Sequence, residues 1–274
     1  MNKNTTPAFI YGTAWKGEAT TQLVEQAINA GFTAIDTANQ PKHYSEALVG
    51  KALAQLQLSG IKRENLFLQT KFTSVNGQDE RIPYDPNADY PTQVRTSFAK
   101  SLEHLQIDYV DSYLLHGPYS WPGLIKPDWE VWSAIEELYT SGKAKLIGVS
   151  NVNIMQLELL TRDAKIKPMI VQNRCFANQG WDKPVREFCQ AHKIMYQGFS
   201  LLTANRDVVQ SQHIQSLAKS LGKTPEQIIF RFAMQIGIVP LTGTSNIEHM
   251  RLDLQTTDFT LSDTDIATIE QRNG

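Results

Sequence analysis

Apolar residues along this chain fall into short runs separated by amphipathic stretches, and the alternation repeats from end to end. Eight runs, at 9–11, 33–36, 66–70, 110–115, 146–149, 169–172, 194–199 and 238–241, have the length and composition of buried strands. Between them, apolar residues recur three and four apart, the spacing of one helix face. TTQLVEQAINA at 20–30 is such a stretch and stops at Gly31, a residue type that closes helices in the left-handed conformation. A second covers 92–104. Thr224-Pro225-Glu226-Gln227 combines an N-cap threonine, proline at the first helical position and a glutamine that can bond back, a capping box. The SDTD at 262–265 has the same form before a last helix. Eight strands alternating with helices over 274 residues predict an α/β fold of the (β/α)8 TIM-barrel type, with 1–274 as one domain. An open doubly wound sheet would carry a G-x-G-x-x-G turn after its first strand, and the chain has none.

Three polar residues stand where three of these runs end: Asp36 in TAIDTA, Lys71 in LFLQTKF and His116 in YVDSYLLHG. Parallel strands joined by helices end at one edge of the sheet, so an acid, an ammonium and an imidazole are expected to converge at one mouth. Tyr44, in the loop after Asp36, joins them. A phenol titrates near about 10; a nearby ammonium stabilises the phenolate and lowers that value, while a carboxylate keeps the lysine charged. Such a phenol can protonate a carbonyl oxygen as hydride reaches the carbon, with His116 polarising the same oxygen. No side chain supplies hydride, which implies a cofactor. Taken singly, Asp36 reads as a turn residue, Lys71 as a solvated lysine, His116 as a structural histidine and Tyr44 as a packing aromatic. Only their joint placement selects the catalytic reading. Two long loops, 73–90 and 117–128, follow strands and are therefore expected beside the same mouth.

Composition removes other classes. The net charge of −2 gives no electrostatic case for nucleic acid or a membrane surface. No apolar run is long enough to cross a bilayer, and the first residues show no secretory h-region. Cys175 and Cys189 are the only cysteines, which favours a reduced, cytoplasmic protein, and neither has metal-ligand spacing with the histidines.

The motifs resemble those of the aldo-keto reductases over nearly the whole chain. IYGTAWK resembles the GTW segment of that family, and IDTA…HYSEALVGKAL its DTA…Y…NE…VG signature. LFLQTKF resembles its lysine strand, IDYVDSYLLHGP its histidine strand, and KLIGVSN followed by VQN its fifth and sixth strands. The resemblance implies a nicotinamide cofactor extended across the C-terminal face and a tetrad of Asp36, Tyr44, Lys71 and His116, with Tyr44 as general acid. It puts Gly12 and Thr13 near the nicotinamide ribose, and Ser150, Asn151 and Gln172 at the carboxamide. Phe199, where the family usually has tyrosine, would stack on the nicotinamide, with Ser200 and Leu201 beside it. Gly243, Thr244 and Ser245 would open a helix at the adenosine phosphate.

The chain departs from the pattern in three places. The segment between Asp36 and Glu46 carries two extra residues, and Pro41 stands where the tyrosine is usual. Gly243 replaces a lysine found in NADPH-preferring relatives; His249 stands near the usual arginine, and Arg251 follows two residues on as a compensating guanidinium. NADPH is the expected cofactor, with NADH as the alternative. The chain also lacks the long C-terminal tail of many relatives, which predicts a more open pocket.

Trp15, Tyr119 and Trp121 are expected to wall the substrate pocket, with Trp181 as a further candidate; Trp132 and Cys175 are expected in the core and Glu46 in a structural role. The expected partner is a small carbonyl compound, and the assembly a monomer or small homo-oligomer. Two other functions compete: a non-redox barrel enzyme using Lys71 as a Schiff-base nucleophile, and a cofactor-binding regulatory subunit of the same fold.

Overall fold

The computed structural model describes residues 7–271. The first half of the chain alternates β1 (Ile10–Gly12), α1 (Thr20–Ala30), β2 (Ala34–Asp36), α2 (Glu46–Leu58), β3 (Phe67–Phe72), α3 (Tyr90–Leu105), β4 (Val110–Leu115) and α4 (Lys126–Thr140). The second half continues with β5 (Ala144–Ser150), α5 (Ile154–Asp163), β6 (Ile170–Arg174), α6 (Lys183–Ala191) and β7 (Met195–Phe199). Three helices, α7 (Arg206–Val209), α8 (Gln212–Leu221) and α9 (Pro225–Gln235), lead to β8 (Ile238–Thr242), and α10 (Ile247–Leu254) and α11 (Asp263–Gln271) follow. The eight parallel strands pair in sequence order, and β8 pairs with β1 to close the barrel.

The helix signals act as their chemistry requires. Gly31 ends α1 at φ 118°, a backbone region that side-chain-bearing residues avoid. Thr224 and Gln227 exchange side-chain bonds at the start of α9, and Ser262 and Asp265 do the same before α11. Helix α3 starts two residues earlier than its apolar spacing indicates, because the Asp89 carboxylate accepts from the Thr92 amide.

Along each strand, alternate side chains point outward to the helices or inward to the barrel axis. The outward set (Tyr11, Ile35, Phe72, Tyr113, Val149 and Val171 among others) joins the helix faces in the main core. The inward set begins with apolar residues: Ile10, Ala34 and Leu241 form one cluster, and Leu114, Ile170 and Met195 another. Gln69, Lys71, Gln172 and Gln197 stand two or four positions further along the same inward faces. β3 runs to Phe72, so Lys71 lies inside the strand and its side chain enters the barrel rather than standing past a strand end.

Gly50 lets α2 lie directly on the C-terminal turn of α3, since a Cβ there would overlap the His104 carbonyl oxygen. Gly50→Ala is expected to cost about 1–3 kcal/mol by forcing the two helices apart, and a thermal melt should show a Tm lower by roughly 3–10 °C.

Candidate active site

The C-terminal ends of the strands surround a cavity of about 1190 Å³. Asp36, Tyr44 and His116 line it, together with Gly12, Ser150, Asn151, Gln172 and Phe199. Lys71 lies beneath its floor, with 0% of its surface exposed. The Lys71 ammonium donates to Asp36 Oδ1 at 2.6 Å, to Asp36 Oδ2 at 2.7 Å and to the Thr37 carbonyl at 2.9 Å. All three of its protons are thus used. Burial lowers the Lys71 pKa, and the Asp36 charge opposes that shift.

A set of glutamines, of which the motifs give a role only to Gln172 and a different one, supports this pair. Gln69 and Gln172 each donate to Asp36 Oδ1, at 2.7 and 3.0 Å. Both also donate to Gln197 Oε1, and Gln197 donates back to Gln69 Oε1. Gln69 and Gln197 sit two residues before Lys71 and Phe199, so strand alternation alone puts them on the inward face. Gln172 therefore uses its amide protons on Asp36 and Gln197.

Tyr44 reaches the cavity through a tight turn. The Gln40 carbonyl accepts from the amides of both His43 and Tyr44, and the His43 carbonyl accepts from the Trp15 amide. This turn absorbs the extra residues between Asp36 and Glu46. The Tyr44 ring stands 6.0 Å from the His116 ring, centroid to centroid, and its centroid is 5.4 Å from Lys71 Nζ. The expected lowering of its pKa does not hold: burial, reinforced by the Asp36 charge, raises it, so the phenol keeps its proton.

His116 follows β4 directly, its amide donating to the Phe72 carbonyl. Nδ1 lies 2.7 Å from Thr73 Oγ1, and the His116 carbonyl accepts from Asn151 Nδ2. Burial, then the charges of Lys71 and His43, push the imidazole pKa down to about 3, so the ring is neutral at ordinary pH. Asn151 holds φ at 56°, a conformation asparagine tolerates, and Ser150 donates to the Gln172 carbonyl.

Loop 73–90 is tied to the tyrosine turn: Gln40 donates to the Gly77 carbonyl, and Gln78 to the Asn39 carbonyl. Thr73, Ser74, Asn76 and Gly77 line the cavity, as does Trp15, whose ring lies tilted against His43 with the centroids 3.9 Å apart.

Phe199, Ser200, Leu201, Gly243, Thr244 and His249 also line the cavity. Several expected residues do not. Tyr119 packs edge-on against Tyr90, and Trp121 is 73% exposed on its loop, so neither walls the cavity. Trp181 is fully buried against Phe232, its indole N–H on the Ile269 carbonyl. Thr13 is buried beside β2, with its amide and hydroxyl both on the Asp36 carbonyl. Ser245 is exposed outside the lining. Arg251, likewise outside it, pairs with Glu248. The first free amides of α10 are partly taken, because Asn246 Oδ1 accepts from Glu248 and His249. Lys16 and Arg174, to which the motifs assign no role, bring positive charge to the lining. Lys16 bonds the Gly243 carbonyl, and Arg174 lies over the Phe176 and Phe199 rings. The core readings of Trp132 and Cys175 agree with their burial, and Glu46 is buried with Thr70, Ser101 and His104 around it. Among the described residues there is no metal-binding cluster, and no helix is long and apolar enough to cross a membrane.

The model of the Aldo/keto reductase family matches residues 10–273. The chain is 32% identical over 257 residues to glyoxal reductase of Bacillus subtilis (strain 168), covering 94% of this chain and 84% of that protein. It is 30% identical over 263 residues to 9,11-endoperoxide prostaglandin H2 reductase of Trypanosoma cruzi (strain CL Brener), with 95% and 84% covered. The crystal structure of an aldo/keto reductase from Brucella melitensis superposes with a TM-score of 0.82 at 28% identity, covering 97% of this chain and 94% of that one.

The depressed His116 pKa has a consequence for stability. The unfolded histidine takes its proton near about pH 6.5, the folded one only near 3. Its contribution is therefore whole above about pH 6.5 and is lost as pH falls toward 3. Denaturant titrations at pH 7 and 5 should show His116→Gln losing about 1–2 kcal/mol less stability than the native chain over that interval.

Proposed function

The chain belongs to the aldo/keto reductase family, and on that premise we propose that it reduces an aldehyde or ketone to the alcohol, with a nicotinamide dinucleotide as reductant and Tyr44 as proton donor. The observation that carries this reading is the meeting of the Tyr44 phenol, the neutral His116 ring and the buried Lys71–Asp36 pair at one cavity.

The residues present suit such a cofactor. The amide protons of Asn151 and Gln172 are engaged within the protein, so these two offer their side-chain oxygens as acceptors in the cavity lining, and Phe199 offers a ring face there. Gly243 leaves room in the lining, where a Cβ would stand 3.4 Å from Lys16 Nζ. When bound, nicotinamide supplies hydride to the carbonyl carbon. His116 donates a hydrogen bond to the carbonyl oxygen and draws electron density onto it. Tyr44 gives its proton to that oxygen as the C=O π bond breaks and the new C–H and O–H bonds form. A phenol of raised pKa still protonates an alkoxide, which is the stronger base. The Lys71 ammonium then stabilises the phenolate through space, since all its protons already lie on Asp36 and Thr37. The same saturation argues against a Schiff base at Lys71, which needs an accessible, unprotonated amine.

NADPH is the proposed form. With Arg251 engaged by Glu248, the 2′-phosphate would meet Lys16 and His249 instead. Trp15 in the cavity wall provides a fluorescence probe. Parallel titration with NADPH and NADH should show quenching by both, with NADPH binding at least tenfold more tightly; quenching by neither would overturn the reading. Tyr44→Phe should lower kcat for carbonyl reduction by at least about a hundredfold while the cofactor Kd stays within about threefold. Full activity in that variant removes the role given to Tyr44.

A further inference from the structure

We propose that Thr73 is a positioning residue that holds the His116 ring with its proton on Nε2, so that the neutral imidazole donates into the cavity.

Thr73 is the first residue after β3, and 3% of its surface is exposed. Among the described residues its hydroxyl has one hydrogen-bond partner, His116 Nδ1, at 2.7 Å. That count decides the tautomer. A hydroxyl must place one proton, and Nδ1 is the acceptor within reach. If Nδ1 carried the ring proton, it would donate to Oγ1, and the hydroxyl proton would have no protein acceptor among the described residues. With the hydroxyl donating to Nδ1, the ring proton lies on Nε2. Nε2 has no protein partner among the described residues, while His116 lines the cavity, so this N–H is free for a ligand oxygen.

Loop 73–90 fixes Thr73 in turn. The Thr73 carbonyl accepts from the Tyr84 hydroxyl at 2.6 Å and from Gln78 Nε2 at 3.3 Å. Gly77 lies against the threonine methyl, where a Cβ would come within 2.6 Å of Cγ2. Backbone and side chain are therefore both held, and the hydroxyl has little freedom to leave Nδ1. A loop with no residue in the family tetrad thus acts on the tetrad's histidine.

The inference rests on the carbonyl-polarising role given to His116, but its first test does not need turnover. Two-bond proton–nitrogen spectra of histidine-labelled protein at pH 7, assigned with His116→Gln, should show His116 as the Nε2–H form, with Nδ1 an acceptor. An Nδ1–H form overturns the proposal whatever the enzyme reduces. The second test is kinetic, on the best aldehyde substrate. Thr73→Val should lower kcat about tenfold with the cofactor Kd within about twofold, and Thr73→Ser should restore kcat to within about threefold. Native kcat in Thr73→Val overturns the proposal. A merely structural threonine would lower Tm in the valine variant and leave kcat at low temperature unchanged. A native chain without carbonyl turnover would defeat the reductase reading and leave the spectrum to decide the tautomer.

Discussion

The Lys71–Asp36 ion pair is the contact on which the rest of the site depends. A fully buried ammonium is tolerated only because each of its protons has an oxygen within 2.9 Å. Removing one partner of such a pair typically costs about 3–5 kcal/mol, because the other charge is left buried and unpaired. Asp36 also accepts from Gln69 and Gln172, and Gln197 closes the ring, so one carboxylate ties together β2, β3, β6 and β7. The polar centre of the barrel and the electrostatic base of the site are the same group of atoms.

Above this base the electrostatics favour neutral groups. Burial pushes the Tyr44 phenol up and the His116 imidazole down, so both are uncharged beside a charged lysine. A neutral phenol has a proton to give, and a neutral imidazole with its proton on the cavity side has a hydrogen bond to give. In the reaction proposed above, both would donate to an oxygen that becomes negative, which is what carbonyl reduction requires. The loops supply the remaining constraint: the Gln40 turn presents Tyr44, and loop 73–90 is bonded to that turn and holds Thr73 against His116.

Much of this was legible in the chain. Strand positions followed from apolar runs bounded by helix caps, and seven of the motifs' strand-end and loop residues (Asp36, Tyr44, His116, Ser150, Asn151, Gln172 and Phe199) line one cavity. The aromatic assignments fared less well. Tyr119, Trp121 and Trp181 all lie in or near mouth-side loops, yet one packs on Tyr90, one faces solvent and one fills the core. Loop membership fixes the end of the barrel a residue occupies, not the direction of its side chain.

The sequence by itself determined the barrel and the edge at which Asp36, Tyr44 and His116 gather. Those follow from periodicity and local capping, which act over a few residues, whereas the roles proposed for these residues came from the resemblance of their motifs. Only the tertiary structure decided the glutamine ring under Asp36, the direction of the Tyr44 pKa shift, the engagement of Arg251 by Glu248 and the Thr73–His116 contact. The ring and the Thr73 contact join residues 25 to 136 positions apart, and the pKa shift reflects how deeply the closed barrel buries the phenol. Even the Glu248–Arg251 pair, three residues apart on one helix, matters only because the fold sets it outside the cavity. Burial and distant hydrogen bonds exist only once the strands have closed, so no local pattern in the chain encodes them.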